Sequence, residues 1–224
     1  MQLFNVLKSD ELADVRKMLD QASWQEMQNE GSSSLPKNSY QEVTFEDAKI
    51  IPIFKILDRI FTTTIVKNFV FCKEILSVRC QKFRVGEGKP RQSESSHVRN
   101  YKCDLSWILC ISDEESYSGG DITIQSGGFK RTANLQSGTL VIYKTGSYIE
   151  MSPVVEGEKL LIQGGIESFI PSYDGRETLY KLSEINEALR RSIDESGYTI
   201  EKKHADVMNQ AWHQMVRLLS TREE

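Results

Sequence analysis

Three histidines and four cysteines are a small stock of imidazole and thiol side chains for metal binding or nucleophilic chemistry in this 224-residue chain, so their spacing decides what chemistry is open to them. His204 and His213 fall in a C-terminal stretch of helical spacing, where a surface or helix-packing role is the ordinary one. Cys103 and Cys110 are seven residues apart and face opposite sides of one strand. Cys72 and Cys80 share a face but stand roughly 26 Å apart at ~3.3 Å per residue, too far to share a zinc ion. Core packing in a reducing compartment is the expected role of all four. Gly86-Glu87-Gly88 has no third glycine, no Lys-Ser or Lys-Thr pair and no helix after it, so it reads as a turn and not a phosphate loop. No Gly-x-Ser-x-Gly elbow is present, and conventional hydrolase chemistry finds no foothold.

The elements that would position any remaining site follow from the apolar periodicity. Ser9–Asp20 reads as a helix: Ser9 can cap it, Asp10 and Glu11 complement its positive end, and Leu12, Val15 and Leu19 form a stripe. Gly31, three serines, Leu35 and Pro36 make a polar loop. Residues 46–61 predict a second helix with Ile53, Ile56, Leu57 and Ile60 on one face, Pro52 either kinking it or sitting in its first turn. After Phe69 the texture changes to short β-rich segments punctuated by glycine, at 71–85, 103–111, 121–125, 140–143 and 159–163, the signature of an antiparallel barrel or sandwich. In the second of these both alternating sets are apolar, as in a central strand covered on both faces. From Arg176 the spacing of Leu179, Leu182, Ile185 and Leu189, then Met208, Ala211, Met215 and Leu218, predicts two antiparallel helices joined near Ser196-Gly197. These stripes are expected to pack on each other and on the barrel, with Trp212 and His213 at the edge of the second.

The stretch from Asp104 to Ser168 carries ordered motifs: Asp-Leu-Ser-Trp-Ile-Leu-Cys-Ile-Ser at 104–112, Tyr-Ser-Gly-Gly-Asp at 117–121, Gly-Thr-Leu-Val-Ile-Tyr at 138–143, Ser-Pro-Val-Val-Glu-Gly-Glu-Lys at 152–159 and Ile-Gln-Gly-Gly-Ile-Glu-Ser at 162–168. This order resembles the PKHD-type hydroxylases, bacterial relatives of prolyl 4-hydroxylase among the iron and 2-oxoglutarate dependent dioxygenases. The resemblance implies a mainly β fold with flanking helices, a double-stranded β-helix or jelly roll. It divides the chain into a jelly-roll region with N-terminal helices at 1–170 and a C-terminal helical extension at 171–224.

Such enzymes hold Fe(II) with His-x-Asp on one strand and a distal His on a later one. The best match to the first motif is His97-Val98-Arg99, with Arg99 where the carboxylate belongs; a gap-free alternative counted from Gly88 places Glu94, Ser95 and Ser96 there. Ile149 matches the distal His and has no lone pair to offer. An arginine stays protonated, and like charges 4 Å apart repel by roughly 4 kcal/mol at an effective dielectric of 20. Ten residues beyond Ile149, where the resemblance implies the cation that clamps 2-oxoglutarate, stands Lys159. It keeps the charge without the bidentate fork, so it is either a residual carboxylate anchor or a strand-end lysine reaching solvent. Tyr143 is a candidate for the rim of the pocket, or barrel packing with its hydroxyl there, as is Tyr148.

With 39% hydrophobic and 27% charged residues and only five prolines the chain is expected to fold. A net charge of −4 gives no general pull toward nucleic acid or anionic lipid. No apolar run approaches the ~18 residues that span a bilayer, and the N-terminal ten residues lack signal-peptide character, so a cytoplasmic protein is expected. The expectation for function is a catalytically silent barrel with vestigial triad positions at His97, Arg99 and Ile149, no metal and no cofactor. It would act as a binding or structural module on a protein partner or a small dicarboxylate, through the former cleft or the helical tail. The rival readings are an active hydroxylase with an unusual ligand such as Glu94, and a structural subunit of a larger assembly, for instance a virus particle.

Overall fold

The chain folds, in a computed structural model, into strands and helices that run in sequence as β1 (Gln2–Asn5), α1 (Ser9–Asp20), β2 (Gln25–Gln28), β3 (Ser39–Thr44), α2 (Ile51–Thr62), α3 (Thr64–Val70), β4 (Cys72–Phe83), β5 (Lys89–Ser93), β6 (His97–Val98) and β7 (Tyr101–Lys102). They continue as β8 (Leu105–Cys110), β9 (Tyr117–Gly119), β10 (Ile122–Ser126), β11 (Phe129–Ala133), β12 (Thr139–Lys144), β13 (Tyr148–Met151), β14 (Val154–Gly157), β15 (Lys159–Ser168), α4 (Tyr173–Ser196) and α5 (Lys202–Leu219). The described residues are 1–28, 39–44, 47–98, 100–196 and 202–220; Arg99, the polar loop at 31–36 and Gly197 lie outside them, as do the side chains of Leu189 and His204. Two units are present, Met1–Ile60 with Glu74–Glu167 and Phe61–Lys73 with Ser168–Glu224. Among the described residues no helix is long and apolar enough to cross a membrane.

The first unit is a jelly roll. A seven-stranded sheet runs β1-β12-β8-β15-β4-β3-β2, and a four-stranded sheet runs β11-β10-β13-β5. One buried cluster draws on both: Phe83, Ile108, Val141 and Leu161 from the large sheet, Ile124 and Ile149 from the small one. β8 lies between β12 and β15, and all six of its residues are buried, as the doubly apolar pattern predicts.

α1 spans the residues its stripe predicts, α2 begins at Ile51 and not at 46, and α3 is a helix the apolar spacing did not predict. Leu12, Val15 and Leu19 of α1 are buried, and Glu11 accepts the Lys8 N–H at 3.1 Å in place of a Ser9 cap. Arg16 fastens α1 to the sheet by donating from Nε to the Ile111 carbonyl at 2.9 Å and from Nη2 to Ser137 Oγ at 2.8 Å. Pro52 occupies the first turn of α2, where its missing N–H leaves no helical bond unmade.

In the second unit Phe69 of α3 is fully buried between the ring edges of Tyr173 and Tyr180 of α4, with centroids 6.0 and 5.6 Å away. Arg176 is buried whole and donates to the Ile170 carbonyl. α5 packs along α4; Trp212 is half-buried with its ring 6.2 Å from Phe71, while His213 is exposed. Residues 61–73 thus group with the tail, a long-range association that the periodicity of either segment does not encode.

Candidate functional site

Pleating fixes which side chains share the inner face of the large sheet. Across β12, β8 and β15, Tyr143 pairs with Ser106 and Ser106 with Gly165; one step along, Val141 pairs with Ile108 and Ile108 with Gln163; next, Cys110 pairs with Leu161. The row of Tyr143 and Ser106 is polar, the rows beyond it become apolar, and Lys159 closes the far end of β15.

At the polar end is a cavity of about 260 Å³ whose walls include Arg79, Glu94, His97, Ser106, Tyr143 and Gln163. Arg79 comes from β4, and Glu94 follows β5. A single contact joins them, Arg79 Nη2 to Glu94 Oε2 at 3.4 Å. The Nε of Arg79 is buried without a hydrogen-bond partner. Behind Gln163, Lys89 donates from Nζ to its Oε1 at 2.5 Å, and burial pushes the Lys89 ammonium down to about 8. Glu42 is buried beside them and accepts from Gln81 Nε2 at 2.8 Å. Burial raises the Tyr143 phenol well above its usual value, and the nearby Glu94 charge adds to the effect.

The residues singled out from sequence are distributed over this frame unequally. Tyr143 is almost wholly buried and walls the cavity, whereas Tyr148 is exposed under the Arg91 guanidinium. His97 is exposed on the small β6-β7 ribbon at the cavity rim, its Nδ1 3.1 Å from Ser96 Oγ. Ile149 does not reach the cavity: it pairs with Ile124 and Gln92 and is sealed in the apolar cluster. Gln92 faces Ile149 across the ladder; Glu94 follows two residues on, just past β5, and His97 five residues on, on β6. Arg99 lies outside the described residues.

Lys159 does not reach solvent. Its Nζ donates to the Gly120 carbonyl at 2.8 Å and sits 4.5 Å from the Tyr117 ring centroid, and burial lowers its pKa. Lys159 and Gln163 are four residues apart on β15, roughly 13 Å at ~3.3 Å per residue, with Leu161 between them. Arg79, Lys89 and Gln163 were not singled out as site residues. The available signal was Arg79 and Gln81 on one face of a strand whose other face, Leu76, Val78 and Cys80, is apolar.

No family model matches the chain. A PKHD-type hydroxylase of Prochlorococcus marinus (strain MIT 9303) is 26% identical over 211 residues, covering 91% of this chain and 90% of its own length. Other curated proteins of the same description match as well. The chain is a relative of the PKHD-type hydroxylases. The solved fold agrees: a 2OG-Fe(II) oxygenase family oxidoreductase from Burkholderia pseudomallei superposes with a TM-score of 0.55 at 10% identity, over 71% of this chain and 80% of that one. HygX from Streptomyces hygroscopicus, solved with nickel, 2-oxoglutarate and hygromycin B bound, superposes with a TM-score of 0.53 at 13% identity, over 74% and 82%.

These likenesses correct the expectation of no cofactor. The relatives of this PKHD-related chain are hydroxylases, and the neighbours of its fold carry iron-type metal and 2-oxoglutarate chemistry. The physical reason for the error is that replacing a ligand at an aligned position removes one way of holding a metal, whereas ligands converge in space from any strand. As for fit, the cavity presents one carboxylate, Glu94, and one imidazole, His97, while Ile149 stands in the core. Among the described residues no three His, Cys, Asp or Glu side chains converge. This is not a two-histidine, one-carboxylate set.

Proposed function

We propose that this PKHD-related barrel acts by binding at its polar mouth and does not hydroxylate. The observation that carries the reading is the contrast between two positions: Ile149 is packed among Ile122, Ile124, Met151 and Val154, while the cavity is walled by an ion pair, Arg79 with Glu94. The reading is supported by the small number of carboxylate and imidazole ligands on the cavity wall, one of each among the described residues. What the cavity offers instead is a guanidinium, hydroxyls and an amide around a space below the ~300–1,000 Å³ of drug-sized pockets.

The test supplies the chain anaerobically with Fe(II) and 2-oxoglutarate, admits oxygen, and follows oxygen uptake and succinate formation with and without extracts of candidate substrates. No turnover above that of heat-denatured protein is expected. Turnover that disappears in Glu94→Gln or His97→Ala would overturn the reading and assign those residues to an unusual ligand set.

A further inference from the structure

Helix α5 carries more apolar surface than its neighbours cover. Most residues from Val207 to Leu219 are apolar, yet none of them is buried. At 3.6 residues per turn they form two stripes about a quarter turn apart round the helix. Met208, Trp212, Val216 and Leu219 make the first and are half-buried: the Trp212 ring stands 6.2 Å from Phe71, and Leu219 lies against Gly175 at the start of α4. Val207, Ala211, Gln214 and Leu218 make the second. All four are exposed, Val207 at 56% and Leu218 at 82%. Asn209, His213 and Arg217 complete the circumference as a polar face.

The exposed stripe has the four-three-four spacing of a coiled-coil seam. It is also symmetric about its own midpoint, between Trp212 and His213: branched and apolar at both ends, short or polar in the middle. A second copy laid antiparallel across a two-fold axis at that point sets Val207 against Leu218 of the other copy, twice, and Ala211 against Gln214, twice. On the flanks the same symmetry places Met208 beside Met215 and Gln210 beside Arg217, so no like charges meet. A parallel pair would instead set Gln214 on Gln214 and Ala211 on Ala211, two amides next to a gap. The stripe holds no charge, so it offers an acidic or basic partner nothing to pair with, whereas its own copy matches it position by position. A polar residue such as Gln214 in the seam costs affinity and fixes the register.

We propose that α5 is a self-association surface, on which a second copy of this chain docks its own α5 antiparallel through Val207, Ala211, Gln214 and Leu218. A contact that uses the same patch on both copies closes at two. Four side chains per copy are far fewer than the ~20–30 residues a side of a standard interface, so the dimer forms and dissociates with concentration.

Sedimentation equilibrium of the full-length chain, from micromolar to millimolar concentration, should show a mass rising from that of one chain toward that of two. Leu218→Glu and Val207→Lys should each weaken association at least about tenfold. Gln214→Leu should tighten it, since it fills the seam with an apolar side chain. His213→Ala, on the polar face, should change nothing. Mixing tests the geometry: in an equimolar mixture of Leu218→Glu and Val207→Lys, one copy's glutamate meets the other's lysine while the second pair stays Val207 on Leu218. Mixed dimers should therefore form at concentrations where neither variant dimerises alone. A chain that stays monomeric throughout, an unchanged affinity in Leu218→Glu, or a mixture no more associated than its components would each overturn the proposal. Circular dichroism checks that the charged variants keep their helix. If one loses it, Gln214→Leu, a change to a better or equal helix former, carries the test, and association no tighter than that of the unaltered chain would overturn the proposal.

Discussion

The Lys89 ammonium donates to the Gln163 amide oxygen inside the barrel, with no carboxylate among the described residues in hydrogen-bond contact with it. Burial is the largest cause of its lowered pKa, Glu94 and Glu42 opposing it and Arg79 reinforcing it. Below about pH 8 the lysine is charged in both the folded and the unfolded chain, and the burial penalty is felt in full. Between about 8 and the ordinary 10.5 the unfolded chain holds a proton that the folded chain has released, so stability rises with pH across that window. The rise amounts to about 3 kcal/mol at most. Lys89→Met should remove it. Urea midpoints of both proteins from about pH 7 to about pH 10 read the difference, in which the titration of tyrosines and cysteines cancels. Parallel curves would show that Lys89 keeps its charge by contact with water.

Ile149 tests how tightly the core between the two sheets is sealed. It is 1% exposed and surrounded by branched side chains from both sheets. Ile149→Val should lower stability by about 0.5–1.5 kcal/mol, the ordinary cost of a lost methylene in a packed core. Ile149→His should cost about 2 kcal/mol or more, because the cluster gives an imidazole no hydrogen-bond partner. Equal midpoints for Ile149→His and the unaltered chain would show that the position opens to solvent or to a polar neighbour.

How much of this was legible beforehand follows from which forces act locally. Helix α1 and the central strand β8 are written in short-range periodicity, and the order of the motifs between Asp104 and Ser168 pointed to the jelly roll. The site was less legible. Glu94 and Lys89 sit on or just past β5, a five-residue strand of Lys, Pro, Arg, Gln and Ser with no apolar alternation, so only its pairing with β13 shows which side chains turn inward. The Arg79–Glu94 contact joins residues 15 apart in sequence, one on β4 and one just past β5, a relationship no local pattern records. Lys159 was legible as an inward residue of β15, but its engagement with Gly120 depends on the turn after β9.

Gly157 and Gly146 separate a steric requirement from a conformational one. Both hold positive φ, +70° and +86°. A methyl at Gly146 meets nothing within 4 Å, so Gly146→Ala should cost only the left-handed penalty of about 1–2 kcal/mol. At Gly157 the same methyl would collide with the Ser116 carbonyl, where β14 pairs with β9. Gly157→Ala should therefore cost about 3 kcal/mol or more, in the range tied to a specific structural fault. Thermal melts of the two variants side by side decide it, and equal losses would mean that the β9-β14 ribbon yields without cost.

Removal of residues 176–224 tests what keeps the second unit's apolar rings out of water. Phe69 has no exposed surface, and Tyr180, with its centroid 5.6 Å away, belongs to the part removed. Leu179, also fully buried, goes with it, as does the Arg176 donor to the Ile170 carbonyl. Uncovering a phenylalanine side chain forfeits about 1.5–3 kcal/mol, and the apolar face left on α3 invites aggregation. The truncated chain should melt lower by about 5–10 °C, at ~2–4 °C per kcal/mol for a chain of this size. Phe69→Leu in the full chain provides the comparison, since it keeps α4 and α5 and removes only the edge-on contacts with Tyr173 and Tyr180, worth about 0.5–1.5 kcal/mol each. If the truncated chain melts with the full one while Phe69→Leu melts lower, the burial of Phe69 is supplied by something other than α4, and the assignment of 61–73 to the same unit as the tail falls.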